Sequence, residues 1–124
     1  MTRADILERL ETLVEGFNAH DLDAIMACFA EDCELEMPRG PHPFGTRAKG
    51  KADVRRLLAT RFEGLPDVHY GNAAHFADGD TGVSKWTLTG TTPAGEKIAV
   101  NGCDFYTFRD GLVAAKDSYW KIVG

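Results

Sequence analysis

Apolar side chains near the start of the chain fall at Ile6, Leu7, Leu10, Leu13, Val14 and Phe17. That three-and-four spacing is one face of a helix. Thr2 followed by Asp5 offers a capping box for it, and it is expected to end near Asn18–His20. Asp21 can cap a second helix with Leu22, Ile25, Met26 and Phe29 on one side. Cys33, Leu35 and Met37 then alternate with Glu34 and Glu36, the period of a half-buried strand, which Pro38 is expected to stop. The stretch PRGPHPFGTRAKG, residues 38–50, holds three of the five prolines and reads as a loop over a pocket mouth. A third helix follows with Val54, Leu57, Leu58 and Phe62 facing inward, ended by Gly64 and Pro66.

From Val68 the period changes from helical to alternating. Turns at Asp78-Gly79-Asp80, Pro93-Ala94-Gly95 and Asp110-Gly111 divide the remainder into four strands, roughly 68–77, 82–92, 97–108 and 112–122. Short turns make neighbouring strands antiparallel. Helices first, one early strand, then a meander is an α+β pattern. The expected architecture is a cone-shaped barrel: three N-terminal helices in the concave face of a curved, mainly antiparallel sheet. All 124 residues fit a single domain, 1–124.

Charge removes several function classes. The net charge is −5 with no block of like sign, which argues against nucleic acid, whose binders need a basic stripe. No apolar run approaches the ~20 residues of a membrane span, and the N-terminus lacks the basic start and apolar middle of a signal peptide. A cytoplasmic location is expected. The three cysteines, Cys28, Cys33 and Cys103, are odd in number and show no CxxC spacing, so they read as reduced thiols. His20, His42, His69 and His75 form no i,i+4 pair and no HExxH, and GxGxxG, Walker and GxSxG patterns are absent. No metal and no cofactor are expected.

A bent sheet with helices on one face encloses a conical cavity, here lined by Phe17, Phe29, Met37, Phe62, Trp86, Leu88, Tyr106 and Phe108. The informative residue is a polar one on that face. Strand 97–108 carries Ile98, Val100, Gly102, Asp104, Tyr106 and Phe108 on its more apolar side, and Asp104 interrupts the row. A carboxylate there needs a partner or a proton. His20 and His42 lie in loops and could reach a pocket opening, and His69 and His75 share a strand parity. Arg39, Arg47 and Lys49 make the 38–49 segment locally basic, a feature that could attract a carboxylate.

Three segments, FNAHDLDAIMACFAEDCELEMP, WTLTGTTPAGEKI and NGCDFYTFRDGLVAAKDSYW, together resemble the ketosteroid isomerases and their SnoaL-like relatives in the nuclear transport factor 2-like superfamily. The resemblance runs over nearly the whole chain and implies that fold. It implies roles only in part. Where the isomerases hold their catalytic aspartate this chain has Met37, and where they hold a helix-one tyrosine it has Leu13. Their second oxyanion donor, an aspartate kept neutral by an apolar site, corresponds to Asp104. The aspartate–arginine–aspartate set of limonene-epoxide hydrolases falls near Trp86, Ser84 and Ser118. Steroid isomerisation is therefore not expected.

By the same resemblance Lys116, Ser118 and Trp120 face the cavity. If Lys116 reaches Asp104 the two form an ion pair; otherwise Asp104 is a protonated donor. The resemblance implies Asp104 and Lys116 as catalytic residues, with Phe17, Met37, Phe62, Trp86, Tyr106, Ser118 and Trp120 binding a small apolar or carbonyl-bearing ligand. The activity would be that of an isomerase, cyclase or dehydratase, with a non-catalytic binding or assembly module as the alternative. A homodimer is expected through a convex face bearing Thr87, Thr89, Cys103, Phe105 and Tyr119.

Overall fold

In the computed structural model, which describes residues 1–124, Thr2 and Asp5 form the expected box. The Thr2 hydroxyl accepts from the Asp5 N–H at 3.1 Å, and the Asp5 carboxylate accepts from the Thr2 N–H at 2.8 Å. Helix α1 runs Arg3–Asn18 and buries Ile6, Leu10, Leu13, Gly16 and Phe17. Asp21 caps the short α2, Leu22–Met26, through the Ala24 N–H. Helix α3, Lys51–Gly64, buries Val54 and Leu58, with Leu57 and Phe62 packed at the edge of the core.

The strands are β1 Phe29–His42, β2 Gly45–Lys49, β3 His69–Asp78, β4 Thr81–Thr91, β5 Lys97–Arg109 and β6 Leu112–Trp120. They form one mixed sheet in the order β2-β1-β6-β5-β4-β3. The β1–β6 pair is parallel and the other four are antiparallel. The sheet is curved and open, ending in β2 and β3, so the barrel does not close. No helix is long and apolar enough to cross a membrane.

Two expectations are corrected. Phe29 begins β1 instead of closing the second helix. Pro38 does not stop that strand, and residues 38–49 are not a loop. β1 continues to His42 and turns into β2, with a register skip between Met37 and His42. Both prolines within β1, Pro38 and Pro41, lie in that skip, where the ladder asks for no N–H. Gly45 closes the hairpin at φ +76, and a Cβ there would collide with the Met37 carbonyl.

Candidate functional site

Strand β5 alternates as its pattern predicts: Val100, Asp104, Tyr106 and Phe108 are buried. In β6 the buried set is Val113, Lys116 and Ser118. The odd spacing from Val113 to Lys116 comes from a bulge, since the β5–β6 register shifts by one between Thr107 and Phe108. The bulge turns a lysine and a serine toward the helices.

They meet Asp104 there. Lys116 Nζ donates to Asp104 Oδ1 at 3.1 Å and to Ser118 Oγ at 2.6 Å, and Ser118 Oγ donates to Asp104 Oδ1 at 2.5 Å. From β4, Trp86 Nε1 donates to Asp104 Oδ2 at 3.0 Å. The Lys116 and Asp104 side chains are only 5% and 6% exposed. The ammonium also lies 5.4 Å from the Phe17 ring centre and 5.9 Å from that of Tyr106, within cation–π range. No buried side-chain nitrogen or oxygen lacks a partner. All neighbours donate to Asp104, which suits a carboxylate, an acceptor only. Lys116 reaches Asp104, so the site holds an ion pair and not a neutral aspartate free to donate.

Gly102 makes the Trp86 bond possible. It pairs directly with Trp86 across β4 and β5, and a Cβ on it would come within 2.7 Å of the indole ring. Without that Cβ the indole lies across the strand toward Asp104. Tyr70, edge-on to Trp86 at 5.0 Å, completes the wall. Burial pushes its phenol well above the usual range, with the Arg61 guanidinium opposing. Burial likewise raises the Tyr106 phenol. Both rings stay protonated.

The expected cavity is almost filled. Phe17, Met37, Trp86, Asp104, Lys116, Ser118 and Trp120 line a void of about 10 Å³, room for one water. Phe29, Phe62, Leu88, Tyr106 and Phe108, expected on the lining, do not reach it. Phe62 packs against His20 and Phe17 between the helices, and Tyr106 lies beneath, fully buried. Leu58, Arg61 and Tyr70 take their places. Arg61 follows Val54 and Leu58 at helical spacing, so its position on the inward stripe of α3 is a readable signal. Above the void lies an open recess of about 580 Å³, and Arg61 and Trp120 line both. The Arg61 guanidinium sits 4.4 Å over the Trp120 ring.

The histidines lie apart from Asp104. His20 Nε2 is 2.7 Å from the Val68 carbonyl, and His42 stacks on Phe44. His69 and His75 do not share a face. A bulge between Gly71 and Ala74 shifts the register, with Asn72 at φ +54. His75 Nδ1 therefore meets the buried Ser84 Oγ at 2.8 Å, while His69 stays exposed. Burial lowers the His75 pKa, opposed by Glu11. The basic 38–49 segment is largely neutralised: Arg47 pairs with Glu36 and Lys49 with Glu34. No three His, Cys, Asp or Glu side chains converge as a metal site.

An open curved sheet cupping three helices, with its polar cluster at one end of the concave face, is the nuclear transport factor 2-like architecture. The chain belongs within it to the SnoaL-like family, whose domain profile matches residues 10–116. No curated protein matches the chain. Among solved structures, a protein of Xanthomonas campestris pv. campestris assigned as a polyketide cyclase superposes with a TM-score of 0.85 at 22% identity, covering 96% of this chain and 92% of its own. TerC, crystallised with polyporic acid, gives 0.81 at 21%, over 94% and 92%. An NTF2-like protein of unknown function from Burkholderia pseudomallei K96243 gives 0.84 at 17%, over 98% and 92%.

Proposed function

We propose that the chain takes a small carbonyl-bearing molecule into the concave face and moves a proton on it, in an isomerisation, cyclisation or dehydration. The observation that supports this most is the buried Asp104–Lys116 pair beside a small void that shares Arg61 and Trp120 with an open recess. Oδ1 already accepts from Lys116 and Ser118, whereas Oδ2 accepts only from Trp86. Oδ2 thus retains capacity for a substrate proton, and the Lys116 ammonium is placed to steady the developing oxyanion. The relatives assigned as polyketide cyclases, and TerC with its polyporic acid, favour a small-molecule role.

A second reading, binding without chemistry, is favoured by Met37, an apolar side chain where the ketosteroid isomerases hold their base. Deuterium wash-in at the methyl group of 2-acetonaphthone, followed by proton NMR, separates the two. Proton transfer predicts wash-in roughly 10²–10⁴ faster with the native chain than with Asp104→Asn. Equal rates, with the Trp86 and Trp120 indole signals still shifted by the ketone, leave binding alone. Unshifted indoles remove the pocket itself.

We also propose that the chain is cytoplasmic and pairs through its convex face. Phe105 and Tyr119 are 43% and 54% exposed there and pack edge to face, an apolar patch that one copy leaves uncovered. Sedimentation that finds only monomer at micromolar concentration counts against the dimer.

A further inference from the structure

Seven of the fourteen lysines and arginines lie within 4.0 Å of a carboxylate. Four of the other seven gather around the recess above the void: Arg39 from β1, Arg61 from α3, Lys97 from β5, and Lys121 just past β6. Only one carboxylate, Glu96, shares that lining. A solvated basic face on one helix or loop would need no explanation. Here four separate elements each send a cation to one concavity, in a chain of net charge −5. Like charges in a concavity reinforce one another's field and raise the local concentration of anions. Leu65, Ile98 and Val100 supply an apolar wall, and about 580 Å³ suits a small organic molecule.

Arg61 ties this recess to the inner site. It and Trp120 line both spaces, and their stack is the partition between them. We propose that the ligand is an organic monoanion. Its carboxylate or sulfonate is held by Arg61 within the ring formed by Arg39, Lys97 and Lys121. Its apolar body enters toward Asp104 as the guanidinium leaves the Trp120 face. A neutral molecule of the same shape gains nothing from the four cations, so Arg61 determines specificity. This inference rests on the pocket reading above and names the charge of what the pocket takes.

Two fluorescent probes share one arene and differ by a sulfonate: 8-anilino-1-naphthalenesulfonate and N-phenyl-1-naphthylamine. Titrated against the full chain, the sulfonate is expected to bind at least about tenfold tighter, the difference made by one charge-assisted hydrogen bond. High salt should weaken only the sulfonate. Arg61→Gln, with an unchanged melt, should weaken the sulfonate alone and so narrow the gap between the two probes. Arg9→Gln, which removes an unpaired cation outside the recess, should change neither. Equal affinities in the native chain, or an Arg61→Gln chain that behaves like Arg9→Gln, overturn the anion inference. If both probes still shift the Trp86 and Trp120 indole resonances, the pocket reading survives that result. If neither probe binds, or both bind without touching those indoles, the pocket reading falls as well.

Discussion

Strands β4, β5 and β6 run the length of the cone, and its two ends are built differently. At the closed end Ile6 and Leu10 of α1 press onto Gly82, where a Cβ would come within 3.0 Å of both side chains. Tyr106, Phe108 and Val113 fill the rest of that end. At the other end the same strands turn Trp86, Asp104, Lys116 and Ser118 inward. Burial does not distinguish the ends: Asp104 is 4% exposed and Lys116 5%, against 1% for Tyr106 and 0% for Val113. Buried apolar contacts stabilise a fold directly. A buried ion pair roughly breaks even against apolar residues of its own size. One end holds the molecule together, and the other keeps a network that folding alone does not require.

Mutations can break that comparison. The largest effect is expected from Lys116→Ala, which strands the Asp104 carboxylate without its cation and should cost about 3–5 kcal/mol by urea unfolding. Leu10→Ala should cost ~2–5 kcal/mol through a cavity at the closed end, while leaving probe binding at the recess unchanged. Replacing both members of the pair, Asp104→Leu with Lys116→Met, should be far milder than Lys116→Ala alone, from neutral to about 1–4 kcal/mol stabilising, and should abolish proton transfer. A double variant as unstable as the single one would make the polar end part of the stabilising core.

The smallest effect concerns pH. Burial holds the His75 pKa below its ordinary 6.5 in the folded chain, so the fold favours neutral imidazole. That contribution is complete above the ordinary value and is lost as pH falls through the lowered one. His75→Gln should flatten the acid limb of a melting-temperature profile below about pH 6.5, and an unchanged limb assigns it to other groups.

Where periodicity ran unbroken, these ends could be read in advance. Helices α1 and α3 and both faces of β5 follow their hydropathy, and Asp104 stands out in β5 because nothing disturbs the alternation. Bulges hide everything else. In β6 an extra residue places Val113 and Lys116 on one face although their spacing is odd, so hydropathy favours neither face and the family resemblance supplied the register. In β3 the shift between Gly71 and Ala74 separated two histidines that simple counting had put together. The prolines of 38–43 looked like loop punctuation because a strand can accept proline only where its ladder already skips. That the cavity would be nearly full depends on how Tyr70, Trp86, Trp120 and Arg61 pack against one another, which no one-dimensional pattern records.

The bulge in β3 also bears on how the protein behaves when crowded. β3 is a terminal strand of the sheet, and a terminal strand offers unpaired N–H and C=O groups to any second chain. Its paired runs are only His69–Gly71 and Ala74–Asp78, and the irregular residues between them twist the border away from a straight template. Deleting Asn72 would bring Ala73 opposite Trp86 and make the ladder continuous, leaving His75 opposite Ser84 and every flanking residue on its present face, so its effect would be to straighten the border. The expected product is a chain that associates edge to edge into fibrous aggregates, so the extra residue in β3 works as a guard on solubility.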